Sequence, residues 1–160
     1  MPFHTLVVAV ALYQLFSAPM EYRTKVDGWI LEWRRDGFSQ RQACRLHRGA
    51  VTYERQALTF RLSRRVDTAS AAYRIDNGRP FFARDDALDL VRLGFALHDD
   101  DLANPSGGVV RIPIAKLEGA RWVVIEPEPQ APRTRFAVEG FSAALVGARS
   151  RCAEEDFGRD

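Results

Sequence analysis

Apolar and polar positions alternate along much of the chain from residue 29 onward. In "WILEWR", Trp29, Leu31 and Trp33 share one face, and in "ALTFRLS", Leu58, Phe60 and Leu62 lie opposite Thr59 and Arg61. A period of two is that of a half-buried strand. "QACRLHR" reads as a further strand, and "VVRIPI" (Val110, Ile112, Ile114) and "RWVVIE" (Trp122, Val124) continue the alternation on either side of a loop-like "AKLEGA". In "YRIDNGRPFF" the Asp76-Asn77-Gly78 turn separates two short strand-like runs, and Asn-Gly is suited to the positive φ angles of a tight hairpin.

Two stretches follow a helical period instead. "DDALDLVRLGF" predicts a short helix capped by Asp85 or Asp86. After strand-like "RFAV", residues Phe141, Ala144, Leu145, Ala148 and Cys152 form one apolar stripe of a second helix. "DDDLANPSGG" and "EPEPQAPR" read as loops. The pattern predicts a mainly β fold: a single-domain antiparallel β-sandwich or partly open barrel over residues 21–153, closed by a C-terminal helix. Residues 154–160 read as an acidic flexible tail. The predicted core holds Trp29, Leu31, Trp33, Leu58, Phe60, Leu62, Ile112, Ile114, Phe141 and Leu145.

Composition agrees with one globular domain, since the 160 residues are 46% hydrophobic and 28% charged. The net charge of +2 limits any long-range basic field. Basic side chains are in excess over residues 21–80 and acidic ones over residues 81–160, which reads as solvated faces of an interleaved domain. Arg34, Arg35, Arg41, Arg45, Arg48, Arg61, Arg64 and Arg65 are scattered without an aromatic-basic motif, so no nucleic-acid partner is expected.

The first twenty residues contain no Lys, Arg, Asp or Glu, and "TLVVAVALYQLF" has the length of a signal-peptide apolar region, too short for a membrane span. Residues 1–20 therefore read as a signal peptide, or otherwise as an apolar N-terminal strand or helix. No other segment is apolar enough to span a bilayer. Export would favour a disulfide between the two cysteines, Cys44 and Cys152, whereas a cytosolic chain would keep two buried thiols.

Candidate chemistry is sparse. Gly140-Phe141-Ser142 follows a strand and opens a helix, the setting of a nucleophile elbow, but Ala144 stands where that motif has its second Gly. His4, His47 and His98 all precede Ser142, against the chain order of that hydrolase family. Ser142 reads better as a helix-start residue bonding free backbone N–H groups, and no catalytic residue is assigned. Cys44 and His47 form a Cys-x-x-His pair, and His98 with Asp99, Asp100 and Asp101 offers further donors. Residues three apart on a strand point to opposite faces, so His47 and His98 are weak metal candidates, and neither a metal nor another cofactor is expected.

The segments "WILEWRRDGFSQRQACRL", "GGVVRIPIAKLEGARWVVIE" and "RFAVEGFSAALVGARSRC", in that order over roughly residues 28–152, resemble the invasion-associated locus B family of exported bacterial proteins. The chain departs from that family in having no additional central cysteines. The resemblance implies a small periplasmic or secreted β-sandwich without known enzymatic machinery, connected with the envelope or with host association. The expected function is that of an exported, non-catalytic binding protein with an unidentified protein or envelope partner. A structural or assembly subunit of a larger envelope complex is the alternative, and a small hydrolase or metal-binding enzyme the more distant one.

Overall fold

The computed structural model describes residues 20–62, 66–95 and 108–158. The apolar leader with His4, the Arg64-Arg65 pair, His98 and the aspartate run lie outside these residues. Ten strands form two antiparallel sheets. The first sheet begins as a meander of β1 (Met20–Val26), β2 (Trp29–Arg35), β3 (Gln42–Arg48), β4 (Val51–Glu54) and β5 (Ala57–Arg61). The chain then crosses to the second sheet for β6 (Ala72–Ile75) and β7 (Pro80–Phe82), passes through a short helix α1 (Ala87–Arg92), and returns to lay β8 (Val109–Pro113) beside β5. It crosses again for β9 (Trp122–Glu126) and β10 (Thr134–Ala137), and ends in helix α2 (Phe141–Arg149). The second sheet has the order β10-β9-β6-β7, and both sheets are open.

The predicted mainly β architecture with a C-terminal helix is therefore the observed one. Trp29, Leu31, Leu58, Phe60 and Ile112 are fully or almost fully buried, and Trp33, Leu62 and Ile114 pack partly buried against them. Phe60 of the first sheet meets Phe136 of the second edge to face, 5.3 Å between ring centroids, which fixes the two inner faces against each other. Helix α2 closes one end on the stripe read from the sequence, burying Phe141, Ala144, Leu145 and Ala148. The Phe141 ring lies 5.0 Å from Trp29 and 5.6 Å from Tyr53. The helix start is held by hydrogen bonds from Trp29 Nε1 and Arg48 Nη1 to the Glu139 carbonyl. Gly140 adopts φ +77, and a Cβ there would stand 2.5 Å from Asp27 Cβ, so this contact admits glycine alone.

Cys44 and Cys152 form a disulfide with Cα atoms 6.3 Å apart. The bond ties the middle of β3 to the turn after α2, with Cys152 on the buried stripe as predicted.

Five features depart from the sequence reading. Strand β1 was not anticipated, although Asp27-Gly28 is a two-residue hairpin turn with φ +49 and +85 joining it to β2. Thr59, predicted to be wet, is 4% exposed, because all of Ala57, Leu58, Thr59 and Phe60 are covered. The hairpin over residues 75–80 forms, but Asp76 rather than Asn-Gly takes the positive φ, at +50. Its carboxylate also accepts the backbone N–H groups of Arg121 and Trp122, which ties the turn to β9.

The fourth departure is Asp86. It makes no side-chain cap to α1, and is instead fully buried, with Oδ2 accepting the Tyr73 hydroxyl at 2.7 Å and Oδ1 paired with Lys116 Nζ. The fifth is the C-terminal end, where residues 154–158 are held against the domain rather than trailing from it. Glu154–Asp156 form a 3₁₀ turn, Phe157 is 3% exposed, and its ring meets Tyr53 edge-on at 5.0 Å.

Both interior tyrosines hold their protons tightly. Burial, reinforced by the hydrogen bond to Asp86, pushes the Tyr73 hydroxyl far above its usual range. Burial and the Glu154 carboxylate do the same to Tyr53, opposed by Arg149. Folding keeps these groups neutral while the unfolded chain releases their protons near pH 10. Stability should therefore be constant up to about pH 10 and fall above it, as linkage requires when the unfolded state binds fewer protons. Denaturant titrations between pH 8 and 11, followed with tyrosinate absorbance, check both the fall and the protection.

Candidate functional site on the second sheet

The β9 sequence Trp122-Val123-Val124-Ile125 is apolar in both phases of a strand. The alternation read from the sequence groups Trp122 with Val124 as the apolar phase and places neither in the predicted core. The structure selects the opposite phase: Val123 and Ile125 are fully buried, and Trp122 and Val124 face outward. The core thus takes the β-branched pair and leaves an indole on the outer face of the second sheet.

Cross-strand register assembles the rest of that face. Arg74 on β6 and Arg135 on β10 both pair with Val124, so the two arginines flank one valine. Pro80 on β7 extends the same row beyond Arg74. The neighbouring row holds Phe82, Ala72 and Glu126. At the other end Trp122 lies opposite Ala137, with the guanidinium of Arg135 4.0 Å and that of Arg121 4.5 Å from the indole centroid. Stacking on an aromatic ring orients a guanidinium while leaving its N–H edge free to donate. Arg74, Pro80, Trp122, Val124, Glu126 and Arg135 line a shallow open depression of about 500 Å³.

The charge on this face is only partly compensated. Glu126 accepts from Arg133 Nε at 2.8 Å and from the Gln130 backbone, and these bonds, led by the one from Arg133, hold its carboxyl below the usual range. Asp76 is engaged by backbone N–H groups. Among the described residues, no carboxylate lies within salt-bridge distance of Arg74, Arg121 or Arg135. The outer face of the first sheet differs: Arg23 meets Glu32 at 3.5 Å and Arg34 meets Glu21 at 3.0 Å across adjacent strands. Arg121, Arg133 and Arg135 come from the acidic half of the chain, so the fold gathers them beside Arg74 against the trend of the sequence.

Of the residues singled out for chemistry, the described ones, Ser142, His47 and Cys44, lie elsewhere and do not converge. Ser142 is exposed at the second position of α2, where Gly140 occupies the N-cap and no side chain caps the helix. The expected capping role of Ser142 is thus corrected: glycine, forced by the contact with Asp27, takes the position a hydroxyl would use. Ser142→Ala should change unfolding free energy by no more than about 0.5 kcal/mol in a chemical denaturation series, because an exposed side chain without a partner is removed.

His47 faces away from the core between Ile30 and Thr52, with Nε2 3.5 Å from Glu32 Oε1 but outside hydrogen-bond geometry. Its neighbour Leu46 points into the core toward α2, so the first sheet separates His47 from Ser142. Cys44 is bonded to Cys152 and points inward, opposite to His47. Among the described residues no three His, Cys, Asp or Glu side chains could share a metal ion, and no helix is long and apolar enough to cross a membrane. The Tyr73, Asp86 and Lys116 group has both carboxylate oxygens engaged, with Tyr73 and Asp86 buried and Lys116 reaching in from the surface, so it acts as an anchor at the start of α1 rather than as a site. Phe38 is fully exposed at the β2–β3 turn, held there by Asp36, which accepts from Phe38 N and Ser39 N.

No family model, curated protein or solved structure matches the chain.

Proposed function

We propose that the protein is an exported, non-catalytic binding protein whose working surface is the outer face of the second sheet. The observation that carries this reading is the outward Trp122 and Val124, flanked by Arg74, Arg121 and Arg135, none of which has a carboxylate within salt-bridge distance among the described residues. Aromatic and arginine side chains gathered on one surface are the composition of an interface centre, where rigid anchors supply most of the binding energy. The uncharged apolar leader of the sequence and the Cys44–Cys152 bond support export, since such bonds persist in oxidising compartments. The resemblance to the invasion-associated locus B family supports an envelope or host-facing setting.

Two measurements test the two halves of this reading. Fractionation of bacteria expressing the whole chain, with thiol-blocking mass spectrometry, should find the protein outside the cytoplasm with both cysteines oxidised. A cytoplasmic pool with free thiols would defeat export. Incubation of isotope-labelled protein with solubilised envelope extract should broaden the NMR signals of Trp122, Val124 and Arg135 while leaving Glu32 and His47 sharp. Equal broadening on both sheets, or none, would defeat the choice of face.

A further inference from the structure

We propose that the outer face of the second sheet receives an acidic segment of a protein partner, with carboxylates seated on Arg74 and Arg135 and an apolar side chain between them on Val124. This deepens the reading of that face as the binding surface and rests on it.

The charge arrangement asks for an anion. Adjacent strands are about 4.8 Å apart, so Arg74 and Arg135, one strand to either side of Val124, have Cα atoms separated by roughly 10 Å. Two cations at that spacing repel each other weakly through solvent, and neither faces the directly opposed carboxylate that pairs with Arg23 and Arg34 on the first sheet; Glu126 acts on Arg74 only beyond ion-pair distance and is bonded to Arg133. Each guanidinium presents a planar fork that matches a carboxylate bidentately. Arg121 adds a third fork at the Trp122 end, whereas Arg133 is already occupied by Glu126.

The other features of the face select a polypeptide over other polyanions. Saccharides and bases dock by stacking on a free aromatic face. Here guanidiniums already occupy stacking distance from the indole, at 4.0 and 4.5 Å, and a sugar or base would have to displace them. Glu126 and Asp76 sit within the same face and would repel a uniformly anionic strand at regular intervals. Val124, Pro80 and the half-exposed Phe82 provide apolar ground between the charges. A segment that alternates acidic and apolar side chains satisfies both kinds of position.

The test uses the intact oxidised protein and three probes: a fluorescein-labelled decapeptide alternating Glu and Val, the same peptide with Lys for Glu, and fluorescein-labelled heparin. Fluorescence anisotropy at 20 mM salt should show saturable binding of the Glu peptide, at least tenfold weaker at 150 mM salt, and none of the Lys peptide. Arg135→Glu and, separately, Arg74→Glu should each weaken it at least tenfold, whereas Arg34→Glu on the first sheet should change it less than twofold. Equal binding of both peptides, or binding insensitive to Arg135→Glu and Arg74→Glu, would overturn the proposal. Heparin bound at Arg135 with the Glu peptide silent would overturn the acidic-protein partner while sustaining the face as a binding surface. Silence of all three probes would defeat the charge-based reading of the face itself.

Discussion

Cys152→Ser is expected to lower the unfolding free energy by about 2–5 kcal/mol, the usual cost of deleting a native disulfide from a small domain. The bond spans 108 positions and encloses every strand from β4 to β10, so its loss returns a large conformational freedom to the unfolded chain. By loop-closure entropy a ring of that length contributes roughly 4–5 kcal/mol, comparable with the whole net stability of many domains. The folded side adds its own cost, since both cysteines are 3% exposed and an unpaired hydroxyl at 152 would sit beside apolar neighbours. Guanidinium denaturation of oxidised wild type against the variant measures the difference. A loss under about 1 kcal/mol would mean that contacts around Phe157 and α2 hold the ends together without the bond.

Phe157→Ala should cost about 3–5 kcal/mol, the range for truncating a buried phenylalanine. The residue occupies a stretch with the composition of a tail, yet it forms an isolated parallel bridge with Cys44 and seals Tyr53 from solvent. Removing its ring leaves a void beside the disulfide and exposes one face of Tyr53. The hydrogen bonds that link Tyr53, Glu154 and Arg149 should then loosen. Thermal unfolding followed by near-ultraviolet circular dichroism would register both the lower midpoint and a changed tyrosine signal. A cost within about 0.5 kcal/mol would return residues 154–158 to the status of a tail.

Much of the fold was legible because the responsible signals are local. Leu31 and Trp33 alternate with Glu32 and Arg34, Phe141 to Cys152 keep a helical stripe, and two cysteines admit a single intramolecular pairing. What was not legible depended on contacts between distant segments. Thr59 reads as a wet position, yet in the folded chain it is 4% exposed on β5, between β4 and β8. Asp86 reads as a cap until Tyr73 and Lys116, 13 and 30 positions away, meet it in the interior. Phe157 is one aromatic among acids, and nothing nearby in sequence discloses that Tyr53 awaits it.

The site itself was hidden by a degenerate strand. With four successive apolar residues on β9, period-two reasoning admits both phases, and grouping Trp122 with Val124 leaves open which phase meets the core. The degeneracy was nonetheless a signal. A strand apolar on both sides in a two-layer protein must offer one apolar side to something other than its own core. The β1 strand was missed for the converse reason: "EYRTKV" is too polar to suggest burial, and only the Asp27-Gly28 turn marks it as half of a hairpin.

The three passages between sheets have a consequence for when the proposed binding face comes into being. Strands β1 to β5 pair with sequence neighbours and can form as soon as they are made. Arg74, Val124 and Arg135, by contrast, share a row only after the chain has returned to the second sheet, with Arg74 and Val124 drawn together across 50 positions. Pairings of such long range come late in folding, because loop closure must precede any reward from contact. The face is therefore a property of the finished molecule alone. A chain stalled after the first meander carries Arg74 but no partner row, so recognition at this surface would pass over immature copies and engage only those whose last strands are in place.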